Sequence, residues 1–297
     1  MARFDVHVVV DWSAAGAAKR GRDSIWCASA GVDRAPNPIN LTTRLEAATY
    51  LDDLIRSQPD RRILIGFDFP FGYPTGTAAA LGLAGEPWRA TWDLLTELIR
   101  DDDRNANNRF DVAAQLNGRL GATVGPFWGC PVARQQLQLR CTKPPFVGPL
   151  AEYRRCERVL RGGGLRPFSV WQLSYPGSVG GQALVGIPVL ASLLRAHPHR
   201  VEVWPFTTGL RPRPAAANAG AVVLAELWPS WFAVTHPPDV VKDASQVTQT
   251  VAVLAAADRT GELDTWFDPP MPVGDRGLVE REEGWILGPA IGGVAGG

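Results

Sequence analysis

Four acidic residues stand where their neighbours make a negative charge costly. Asp11 closes the apolar run VHVVVD, Asp68 follows ILIGF, Glu226 lies inside VVLAELW, and Asp243 falls on the apolar stripe of KDASQVTQTVAVLAAA. A carboxylate removed from water in this way needs a compensating partner. Gathered at one place, several carboxylates repel one another and hold protons unless a divalent cation neutralises them. Oxygen ligands without His or Cys select a hard cation, Mg²⁺ or Mn²⁺. A pair of such ions about 3.5–4 Å apart is the arrangement that hydrolyses phosphodiesters. Each acid also has a simpler reading alone: a turn at Asp11, a loop anchor at Asp68, an arginine partner for Glu226, a helix N-terminal charge at Asp243.

The elements that must position these acids can be read from periodicity. DVHVVVDW (5–12), SIWCASA (24–30) and the stretch 38–43 predict three strands, and 45–56 an amphipathic helix with Leu45, Ala48, Leu51 and Ile55 on one face. Ile63–Phe67 is apolar without alternation and stops at Pro70, which predicts a strand buried on both faces. A crossover helix between the first strand and this one makes the two parallel, and places Asp11 and Asp68 side by side where open α/β sheets bind ligands. Helical pieces are expected at 88–100, 110–120, 150–160 and 186–196, strands at 200–204 and 222–228, a helix at 242–257 and a short hairpin at 277–287. The glycine-rich tail from Gly292 is expected to fray.

The order of these elements and their acids resembles the ribonuclease H-like superfamily. VVVDWSAAG, ILIGFDFPFGYP, LAELWPSWF and KDASQVTQTVAVLAAA are similar to four blocks of the predicted-nuclease family catalogued as domain of unknown function 429. RFDVAAQLNGRLG and WQLSYPGSVGGQALVGIP match it loosely. The resemblance implies an α/β fold with a ribonuclease H-like mixed five-stranded sheet flanked by helices. Residues 1–75 and 200–297 would form the core, with 76–199 a long helical and loop insertion packed on it. It also implies a carboxylate-bound metal site. Asp11 would bridge two ions, Asp68 and Glu226 would flank it, and Asp243 would bind the second ion from outside. Trp12 and Ser13 replace a glycine-rich turn, and Ala-Ser follows Asp243 where a second acid is usual, so the number of metals stays open.

On this reading the protein is a Mg²⁺- or Mn²⁺-dependent, nuclease-like hydrolase of a phosphodiester-containing substrate. Lys242 would contact a phosphate, and Arg109, Gln172 and Gln182 would orient substrate or satisfy loop backbone. A phosphotransferase or ATPase on the same core is the alternative, with the loop that begins at Ser13 and carries Lys19 and Arg20 cradling phosphate. A third possibility is a catalytically degenerate, partner-binding member. Trp128, Trp171, Trp204, Trp228 and Trp231 are either a platform for bases or core residues.

Composition narrows the partners. The chain has 297 residues, 45% apolar and 20% charged, with 30 basic against 30 acidic side chains. Zero net charge excludes a generically basic, polyanion-coating protein, but the balance is uneven along the chain. Residues 151–215 hold nine basic and three acidic side chains, a net +6, and residues 216–297 hold four and eleven, a net −7. Arg154, Arg155, Arg158 and Arg161 have the spacing to line one side of a helix against nucleic acid, or to form a solvated face. Cys27, Cys130, Cys141 and Cys156 form no disulfide or zinc pattern, no run of 18 apolar residues predicts a membrane span, and a cytoplasmic location is expected. Nucleic acid or a small phosphorylated molecule is the expected partner.

Overall fold

Strands β1 (Val6–Asp11), β2 (Ile25–Gly31) and β3 (Arg34–Leu41) form an antiparallel meander, after which α1 (Arg44–Ser57) carries the chain across to β4 (Ile63–Phe67). The computed structural model of the protein describes residues 3–31, 34–121, 125–146, 148–214, 219–232 and 234–290. Thr43 starts α1 by accepting the Glu46 N–H at 3.1 Å, and the Glu46 carboxylate in turn accepts the Thr42 N–H. The chain then builds α2 (Thr77–Ala80), α3 (Pro87–Leu98), α4 (Arg109–Arg119), α5 (Arg155–Gly162) and α6 (Gly180–Ala196). It returns to the sheet through β5 (Val201–Val203) and β6 (Val222–Glu226), and ends with α7 (Lys242–Thr260), α8 (Leu263–Phe267) and α9 (Val273–Leu278).

The protein is an α/β molecule with one mixed sheet of six strands in the order β3-β2-β1-β4-β6-β5. β4 lies parallel to β1, β6 parallel to β4, and β5 parallel to β6. Six strands replace the five expected, because Val201–Val203 pairs outside β6 and becomes the edge. Every residue of β4 and of β6 is buried, as their unbroken apolar runs require.

Strand periodicity divides the core in two. Val8, Val10, Ile63, Ile65, Phe67, Val222 and Leu224 face a layer formed by α1, α3, α4 and α6, with Leu51, Trp92, Ala113 and Leu184 among its residues. Val9, Leu64, Val223 and Ala225 face a second layer, filled by Val247, Val251 and Leu254 of α7 and by Trp266 and Phe267 of α8. The helices of residues 76–199 therefore share an apolar core with the strands.

The expected terminal hairpin at 277–287 does not form. Those residues continue α9 into a π-helical turn at Val279–Glu283, and only Ile286 bridges to the sheet, beside Glu226. The reason lies in two acids of that turn, Glu282 and Glu283. Glu282 accepts the Gly76 and Ala78 N–H groups at 2.8 Å each, and Glu283 accepts the Thr75 N–H at 2.9 Å and its hydroxyl at 2.6 Å. The two backbones come so close that a side chain on Gly72 would begin 2.2 Å from the Glu282 carbonyl oxygen. The tail that begins at Gly292 lies outside the described residues. Gly72→Ala is expected to lower unfolding free energy by about 1–3 kcal/mol, the usual cost of overpacking, in urea denaturation followed by tryptophan fluorescence.

Candidate functional site

Register brings the first two acids together. Val10 pairs with Phe67 in the parallel ladder, so the next residues, Asp11 and Asp68, leave the sheet at the same end. The Asp68 N–H donates to the Val10 carbonyl, and the Asp68 carboxylate accepts the Trp12 N–H at 2.7 Å. Asp11 and Asp68 share a hydrogen bond. Burial, with the negative charges of Asp68 and Asp243 added, pushes the Asp11 carboxyl well above the usual carboxylate range. Burial also raises Asp68, to about 7, against the stabilising hydrogen bonds from the Trp12 N–H and from Asp11. Burial and mutual repulsion thus favour protonation of the pair as a unit.

Both acids line an open cleft of about 490 Å³. Asp243, in the first turn of α7, lines it too, and its carboxylate accepts the Asp23 N–H at 2.7 Å, fastening the β1–β2 loop to that helix. Lys19 enters the cleft from the same loop, 3.3 Å from the Asp23 carboxylate. Ser13 lines the cleft and donates to the Asp23 carbonyl. Gln182, in the first turn of α6, donates to the Trp12 carbonyl, so its amide braces the residue after Asp11.

Arg109 lines the cleft at the start of α4. It donates to Asn107 at 2.8 Å, lies over the Phe110 ring, and leaves its buried Nε without a hydrogen-bond partner. Burial, reinforced by the neighbouring cations Arg44 and Arg134, lowers its pKa to about 10. Such a cation gains by meeting an anion in the cleft. Lys242 is exposed beside Asp243, and its positive charge pulls against the rise at Asp11.

Glu226 does not join this group. It is 2% exposed, and its two oxygens receive the Arg154 guanidinium at 2.6 and 2.8 Å while one also accepts the Phe71 N–H. Arg154 is fully buried and binds Glu157 as well, and Arg155 pairs with Asp275 and Glu283. The arginines that suggested a nucleic-acid face are thus partly spent inside the fold. Gln172 donates to the Ser174 carbonyl and is not among the residues lining the cleft. Of the tryptophans, Trp171 and Trp204 are buried in the two core layers, and Trp228 lines the cleft. Among the described residues no group of three or more His, Cys, Asp or Glu side chains is drawn together tightly enough to form a ready metal cage.

Sequence reasoning passed over Arg44. This buried first residue of α1 forms an ion pair with Asp101 and donates at 2.9 Å to the carbonyls of Ser13 and Ala15, holding the loop that borders the cleft. An arginine at a helix start carries no signal that distinguishes this from a surface position. Tyr175 and Gln246 also line the cleft unannounced.

No family model matches the chain, and neither does any curated protein or solved structure. No helix among the described residues is long and apolar enough to cross a membrane.

Two measurements check the charge assignments. Arg154→Met strands two buried carboxylates and is expected to cost about 3–5 kcal/mol in denaturant unfolding. Asp68 binds its proton more tightly folded than unfolded, so its contribution to stability is complete below about pH 4 and is lost as pH rises through about 7. Asp68→Asn should flatten that part of the pH–stability curve measured by thermal melting.

Proposed function

We propose that the protein is a divalent-metal-dependent hydrolase of a phosphodiester-containing substrate, built on a ribonuclease H-like core. The observation that carries this reading is the contact of Asp11 and Asp68 at the same ends of adjacent parallel strands, on the floor of a cleft that also holds Asp243. An antiparallel β1–β2–β3 meander beside parallel β4 and β6 supports it, with β5 as an added edge.

The donor set fits a hard cation. Among the described residues no salt bridge engages Asp11 or Asp68, and their raised pKa values mark a negative charge that a divalent ion would neutralise. Mg²⁺ characteristically takes one or two protein carboxylates and completes its shell with water and substrate phosphate, so a four-acid cage is not needed. Asp11 and Asp68 would hold the ion and Asp243 would face it from α7. Bound there, the ion supplies Lewis-acid stabilisation of the charge that develops on the phosphoryl oxygens.

The remaining work falls to the chain's own side chains. Arg109 offers a partly desolvated guanidinium with an unpartnered Nε to a substrate phosphate, in the geometry that suits bidentate contact. Lys19 adds a second positive charge from the loop. Gln182 and Arg44 keep the Trp12–Ala15 segment, and with it Asp11, in place. Glu226 has a different task, balancing the buried Arg154.

Mn²⁺ titration by calorimetry and Mn²⁺- or Mg²⁺-dependent cleavage of labelled oligonucleotides test the assignment. Asp11→Asn and Asp68→Asn are expected to abolish cleavage and to weaken Mn²⁺ binding at least about tenfold. Glu226→Gln should leave Mn²⁺ affinity within about twofold while lowering the melting temperature. Metal affinity unchanged in both aspartate variants overturns the proposal, and ATP turnover without strand cleavage replaces it with a phosphotransferase.

A further inference from the structure

Three aromatic side chains border the cleft and leave much of their surface open. Phe168 is 40% exposed, Tyr175 is 48% exposed, and Trp228 is half-buried beside them in the lining. The other large rings of this protein are mostly buried in its core, so exposed rings concentrated at the one cleft that contains Asp11 and Asp68 call for a ligand.

Tyr175 is held with unusual care for an exposed residue. Its backbone has φ +81°, a conformation that a bulky side chain adopts only when its surroundings impose it. The turn is closed by the Ser178 N–H, which donates to the Tyr175 carbonyl at 3.0 Å. Its hydroxyl donates to the Cys130 carbonyl at 3.2 Å, and its ring lies against the Gly129 backbone. Phe168 is fixed similarly: Gly177, with φ +81° in the same turn, packs so close that a Cβ there would begin 2.3 Å from the ring.

We propose that this rim is a stacking platform for one nucleobase of a phosphodiester substrate, the phosphate of that nucleotide unit reaching Arg109 and the Asp11–Asp68 floor. The proposal rests on the hydrolase reading for the fate of the phosphate, but the platform is a binding property of its own. Rings of Tyr, Phe and Trp accept any base by stacking, whereas a sugar phosphate offers them no flat face. A cleft of about 490 Å³ falls within the size of pockets that take one small ligand, and is short for a run of stacked bases. Because Arg154 and Arg155 are committed to internal ion pairs, their helix provides little continuous basic track along which a long strand would lie.

Calorimetric titration in EDTA, with adenosine 5′-monophosphate and ribose 5-phosphate as probes, separates the platform from the chemistry. The wild-type protein is expected to bind the nucleotide at least about tenfold more tightly than the sugar phosphate. Tyr175→Ala and Trp228→Ala should each remove most of that margin and leave ribose 5-phosphate affinity unchanged. Tyr175→Phe, which keeps the ring and loses the tether, should retain most of it. Equal affinity for the two probes, or a margin that survives both alanine variants, overturns the platform even if oligonucleotides are cleaved. A margin present without cleavage under any metal leaves the platform standing and removes the hydrolase reading instead.

Discussion

The parallel pairing of β1 with β4 is the constraint from which the rest of the molecule follows. Both strands are apolar on both faces, so helices must cover the sheet twice, and the two core layers are the result. Their register also decides where charge accumulates: β1 ends in Asp11 and β4 is followed at once by Asp68, and the ladder that aligns Val10 with Phe67 delivers both acids to one rim. A one-residue slip would turn every valine of β1 toward the wrong layer, so the hydrophobic pattern protects the acidic contact indirectly.

A second node lies on the other side of β6. The buried Arg154 guanidinium gathers Glu157, Glu226 and the carbonyl of Glu283, and its neighbour Arg155 gathers Asp275, Glu283 and Thr75. The two arginines join α5, β6, the loop after β4 and the C-terminal turn through polar contacts that add to the apolar packing of these elements. Truncating such an ion pair leaves a bare charge, which makes the node strongly specifying even where its net stabilisation is small.

Much of this was legible from residue pattern. β1, β2, α1, β4 and α7 appear where alternation and helical periodicity put them, β3 begins four residues earlier than its expected start at 38, and the pairing of Asp11 with Asp68 follows from a crossover connection. Glu226 shows the limit. An acid within an apolar run needs a counter-charge, and both a metal and an arginine provide one; its arginine is 72 residues away in sequence, with no periodicity to link them. Glu282 and Glu283 were hidden for the same reason, since a charged tetrad near a chain end looks solvated until its N–H donors on the loop after β4 are known. The edge strand β5 is too short for its pairing to be settled by its three residues. Tyr175 was invisible because its significance lies in a dihedral angle.

The Arg154 node also has an order in time. During synthesis the guanidinium leaves the ribosome 72 residues ahead of Glu226 and 129 ahead of Glu283. Until those partners emerge, the one native carboxylate partner already made is Glu157, three residues along, so burial of the guanidinium is not yet compensated. Full compensation of this interior cation therefore waits on the last strand of the sheet and on the C-terminal turn, which closes over it like a latch.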